Sequence, residues 1–136
     1  MPKESIVLTE LQKERARRLK TEGALISIYV LRAANGRCDY DNFIKKLGSK
    51  DQCQIQVIID NIAKFGITSC SHLKRIREDI YEITTRGGVR LFAFMISNKI
   101  IIISHGMTKG TKRVQTTEID SAIQRKLAFL SMGERQ

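Results

Sequence analysis

Eight side chains in the second half of this 136-residue chain carry most of its chemistry: Lys74, Glu82, Arg86, Arg90, His105, Lys109, Lys112 and Arg113. Six are cations, and a cluster of that sign suits binding, and with a proton-transfer group cleavage, of a polyanion. His105 is the natural proton-transfer candidate, because an unperturbed imidazole titrates near neutrality. The competing reading is a core-edge histidine bonded to backbone. Arg90 suits a phosphate: its guanidinium offers a fork of donors and stays charged at neutral pH. Against that stands an ion pair with Glu82 or another acid. Glu82 is either a general base or the structural partner of a nearby cation. Arg86 borders Gly87-Gly88 and is either a second phosphate ligand or a solvated hairpin charge. Lys74, Lys109, Lys112 and Arg113 are phosphate contacts or plain surface charge.

Positioning these residues requires a sheet. Asp79–Arg86, Val89–Ile96 and Lys99–Met107 are β-rich runs separated by Gly87-Gly88 and Ser97-Asn98, which reads as a meander. Antiparallel pairing across Ser97-Asn98 matches residue numbers summing to about 195, which sets Arg90 opposite His105. An earlier strand, Ala24–Arg32, is apolar on both faces and must join this sheet. Asn35-Gly36 then turns the chain into a helical hairpin. Its first helix carries Tyr40, Phe43, Ile44 and Leu47. Its second carries Ile55, Ile58, Ile59, Ile62 and Phe65 and stops at Gly66. Thr68–Lys74 reads as a polar connection. Thr117 caps a last helix with Ile119, Ala122, Ile123, Leu127 and Leu130 on one face. At the start, Thr9 caps a basic helix over residues 8–22, closed by Gly23.

The expected fold is therefore α+β: a small, mainly antiparallel sheet of the first strand plus a three-stranded meander. A helical hairpin packs on it, with an extra N-terminal helix and a C-terminal helix. Residues 1–23 form the basic N-terminal helix extension and 24–136 the main domain. The chain has 24 Lys and Arg against 14 Asp and Glu, a net charge of +10, which points to nucleic acid or ribosome, an acidic partner or an anionic surface. The longest apolar run, Ile100–Ile103, is far short of the roughly 20 residues a membrane helix needs. No apolar signal-peptide core opens the chain, so a cytoplasmic protein is expected. Cys38, Cys53 and Cys70 are widely spaced, and with His72 and His105 they complete no zinc ligand set. Three reduced thiols and no metal are expected.

Several segments, in order, resemble the RelE/ParE superfamily of toxin–antitoxin toxins, and its HigB-like, phage-derived branch in particular. Tyr29-Val30-Leu31-Arg32 with Asn35-Gly36 is similar to its first strand and turn, and Phe43–Leu47 to its short helix motif. Ile59–Gly66 is similar to its glycine-terminated helix. Ile80-Tyr81-Glu82-Ile83 resembles its "LYEL" strand and Arg90–Phe94 the strand after it. Ile103–Lys109 resembles "LLHGFxK", and Thr116–Ala122 the segment around "EIxxA". The likeness covers about Leu25 to Leu130. It implies a ribosome-dependent mRNA endoribonuclease that needs no metal or small-molecule cofactor and is held inactive by a cognate antitoxin. Arg90, His105, Arg86 and Glu82 would be catalytic, and Lys74, Lys109, Lys112 and Arg113 would bind RNA.

Three positions depart from that pattern. Thr84 stands where the family usually has Arg; Arg86, two residues on, would share its face in an extended strand. The paired lysines become Lys109-Gly110, and the proline before the last helix is absent. These departures leave room for a non-catalytic relative that binds nucleic acid, or a ParE-like inhibitor of a protein target.

Overall fold

The computed structural model describes residues 8–77, 79–108 and 112–133, without the side chains of residues 69 and 112–114. Four α-helices, α1 (Glu10–Glu14), α2 (Asp39–Lys45), α3 (Ser49–Phe65) and α4 (Lys112–Gly133), surround one sheet. Its six strands are β1 (Ala16–Arg18), β2 (Ser27–Leu31), β3 (Leu73–Arg77), β4 (Ile80–Thr84), β5 (Arg90–Ser97) and β6 (Ile100–Met107). The strand order is β1-β2-β6-β5-β4-β3. Only the β2–β6 pair is parallel. The expected α+β architecture is present, with the first strand and the meander β4–β5–β6 at its centre.

The two outer strands were not expected. Thr9 does cap α1, through a capping box with Gln12, but the helix ends at Glu14 instead of running to residue 22. Ala16, Arg17 and Arg18 instead pair with Leu31, Val30 and Tyr29. A helix there would have offered only a thin apolar stripe, whereas a strand satisfies the open edge of β2. At the other edge, the end of the segment read as a polar connection and the three residues after it form β3, with Lys74, Arg75 and Arg77 exposed. Charged side chains on an edge strand discourage pairing with another chain.

Apolar side chains fill both faces of the sheet. On one face, Ile55, Ile58, Ile59 and Ile62 of α3 meet Ile28, Val30, Ile83, Leu91 and Ile103. Phe65, expected on that stripe, is 60% exposed, because the last helical turn rotates it past the sheet. Gly66 ends α3 as expected, at φ +90°. On the opposite face, Ile119, Ala122 and Phe129 of α4 meet Ile80, Phe92, Phe94 and Ile102. The inner stripe of α4 therefore runs 119, 122, 126, 129. Leu127, expected on it, is exposed, and Lys126 is buried along its stem with Nζ 3.8 Å from Asp79.

Candidate functional site

The residues that could do chemistry gather under the first half of α4. Paired positions across a sheet share a face. One row runs Lys74, Glu82, Phe92, His105; the next on the same face, two residues along, runs Thr84, Arg90, Met107. Arg90 is thus opposite Met107, not His105 as the simple hairpin count predicts. The two share a face but lie one row apart. The difference comes from the turn, which falls on Asn98-Lys99 and not on Ser97-Asn98: Ser97 pairs with Ile100, so paired numbers sum to 197, while the irregularities at Phe92/Ala93 and Met95/Ser97 offset each other. Ser104 is the unpaired residue of the first, and such a bulge re-aims its neighbours. Both Ser104 and His105 meet α4 side chains.

Glu82 is the hub of this cluster. It is 4% exposed. Its Oε1 accepts from Arg90 Nη1 at 2.9 Å and from Thr84 Oγ1 at 3.2 Å. Its Oε2 accepts from Gln115 Nε2 of α4 at 2.7 Å. A carboxylate that accepts three hydrogen bonds holds its donors in place. Arg90 keeps 29% of its side chain exposed.

His105 is 6% exposed, against the Phe92 ring at a centroid distance of 5.4 Å. Its Nδ1 lies 2.7 Å from Ser104 Oγ. Its Nε2 has no hydrogen-bond partner among the described residues. Glu118 Oε2 on α4 lies 3.8 Å from Nε2. Burial, helped by the positive charge of Arg125, pushes the imidazole down to about 4, so it is neutral at physiological pH. In the tautomer with the proton on Nδ1, donated to Ser104 Oγ, Nε2 would present a free lone pair.

Other expected residues lie elsewhere. β4 ends at Thr84, so Arg86 is not on the strand and does not share its face. It sits exposed in the 85–89 turn, which Thr85 closes by donating N–H to Val89 O at 2.9 Å, and borders Lys50, Asp51 and Gln54 of α3. Lys74 is exposed on β3, in the row of Glu82. Lys109 lies outside the described residues; Lys112 and Arg113 open α4, and their side chains lie outside them too.

Four participants escaped the sequence reading: Ser104, Gln115, Glu118 and Arg125. The last donates Nη1 to Ser104 Oγ at 3.3 Å and pairs Nη2 with Asp39 Oδ2 at 2.8 Å. Residues 115, 118, 122 and 125 follow i, i+3, i+7, i+10, a spacing that sets them on one helix face. That pattern was the available signal.

The phage-derived Gp49-like family model (DUF891) matches residues 42–127, more than half of the chain. The chain belongs to the Gp49-like family. This is a toxin-like family of the RelE/ParE type. The Gp49-like segment contains Glu82, Arg90, His105 and Arg125, and leaves out α1, β1 and β2. Comparison with curated proteins gives no match. Among the described residues of this Gp49-like chain, no helix is long and apolar enough to cross a membrane.

Proposed function

We propose that this chain is the toxin of a type II toxin–antitoxin pair, a metal-independent, ribosome-dependent mRNA endoribonuclease close to the HigB-like branch. The observation that supports it is the part-exposed Arg90, held by buried Glu82 one row from His105, within the family segment. In this reading the RNA 2′-hydroxyl attacks the adjacent phosphate and gives a 2′,3′-cyclic phosphate. His105 Nε2 takes the hydroxyl proton, and the imidazolium then protonates the leaving 5′-oxygen. Arg90, oriented by Glu82, stabilises the phosphorane charge. Lys74, Lys109, Lys112 and Arg113 hold flanking phosphates, and Arg86 grips RNA beyond the turn, away from the reacting atoms. Gln115 and Glu118 cover Glu82 and His105, so substrate entry requires the first turns of α4 to lift. An acidic antitoxin neutralises the cationic surface in the cytoplasm, where the ribosomes are.

A second reading has its own support. His105 is buried and Glu82 already accepts three hydrogen bonds, which suits a relative that binds RNA without cutting it. Cell-free translation of a reporter, with the mRNA ends mapped, separates the two. A cutter leaves new ends within codons; a binder leaves the message intact.

A further inference from the structure

A second site lies at the end of the sheet, where the strand β1, the β2–α2 connection and the last turns of α4 meet. The hollow there has a volume of about 380 Å³, within the range of small-molecule sites. Arg15, Arg32, Arg37 and Arg125 line it, and Asp39 is the only acid among its lining residues. Asp39 is already shared, with Arg37 Nε at 3.0 Å and Arg125 Nη2 at 2.8 Å. Arg15 and Arg32 have no carboxylate within ion-pair distance among the described residues, and Arg32 only reaches the Glu14 carbonyl at 3.4 Å. The floor is apolar, with Leu31, Ala128 and Met132 lying over the buried Phe129. Apart from Arg125, Asp39 and the rest of this lining lie outside residues 42–127, so the family match covers almost none of it.

Four guanidinium groups facing one carboxylate leave an excess of three positive charges. A phosphomonoester dianion suits that excess better than a carboxylate does, and arginine forks match phosphate oxygens two at a time. The apolar lining, with arginines beside it, suits a flat ring. We infer that this hollow binds a mononucleotide, with its phosphate on Arg15 and Arg32 and its base on the Met132 floor. Arg125 also donates to Ser104, but the inference concerns binding alone and stands whether or not the chain cuts RNA.

Calorimetric titration of the full chain with AMP, adenosine, inorganic phosphate and a glutamate-rich peptide tests it. AMP is expected to saturate one site, with adenosine and phosphate each at least tenfold weaker. Arg15→Gln and Arg32→Gln should each weaken AMP about tenfold or more. Neither change breaks an ion pair among the described residues, and an unchanged thermal midpoint confirms an intact fold. Failure of AMP to saturate overturns the inference. So does an affinity that both variants leave unmoved, or phosphate or adenosine binding as tightly as AMP. Binding of the acidic peptide without AMP would make the hollow a protein contact and overturn it as well.

Discussion

Arg90 Nη1 donates to Glu82 Oε1 at 2.9 Å, joining the first residue of β5 to the middle of β4. The pair crosses from one row of the sheet to the next, since Arg90 is opposite Thr84 and Glu82 opposite Phe92. Removing the guanidinium leaves a buried oxygen with Thr84 as its remaining donor. Arg90→Ala should therefore lose about 1–3 kcal/mol in urea denaturation while still folding. Glu82→Gln should lose a similar amount. The double variant should lose less than the sum of the two, by about 1 kcal/mol. Strictly additive losses would show that the pair is not coupled.

His105 gives the fold a pH dependence of known sign. Its folded-state pKa of about 4 lies below the ordinary imidazole value. Between about pH 4 and 6.5 the unfolded chain binds the proton and the folded chain does not. The contribution of His105 is therefore fully present above about pH 6.5 and declines as pH falls toward 4, by on the order of 3 kcal/mol in total. His105→Gln should flatten that window in a denaturation series. Asp41 acts lower on the scale, because its hydrogen bond from Arg17 holds the carboxyl below its usual range. An NMR titration that places the His105 ring near 6.5 would contradict this account.

Gly23 packs against the backbone of α3. A Cβ there would lie within 2.6 Å of three backbone atoms of Ala63 and Lys64. The same approach lets Leu25 donate its N–H to Ala63 O at 2.8 Å. Gly23→Ala must push the entry to β2 off the helix, and should cost about 1–3 kcal/mol. An unchanged thermal midpoint would show that the contact is looser than described.

With a net charge of +10, RNA binding should weaken steeply as salt rises. Lys74→Glu reverses an exposed charge in the row of Glu82 and should weaken binding about equally for all sequences, with a shallower salt slope. Filter binding across a salt series measures both. A flat response would point to a protein target.

Much of the architecture was legible because local signals were strong. Gly87-Gly88 marks the first hairpin, the break after Ile96 marks the second to within one residue of its Asn98-Lys99 turn, and the isoleucine spacing in α3 marks its buried face. Strand β1 was not legible, since three residues with one small apolar side chain carry no period. Strand β3 was missed because its cations protect an edge and break the alternation. The site was legible only in part. Glu82, Arg90 and His105 do share a face, but Ser97 stays in the strand and the turn falls on Asn98-Lys99, which moves the register by two residues, and no residue type at Ser97-Asn98-Lys99 announces that choice. Gln115, Glu118 and Arg125 were hidden by an expectation that the inner face of α4 is apolar.

The most direct measurement is ribosome-dependent cleavage by the purified wild-type chain, with mRNA ends mapped after translation in a cell-free system, alongside Arg90→Ala and His105→Ala. The account predicts new ends within codons for the wild type, only when ribosomes translate, and a loss of at least about a hundredfold in each variant, with ribosome binding retained. Intact message with the wild-type chain bound to ribosomes, or cleavage undiminished in Arg90→Ala, would contradict it.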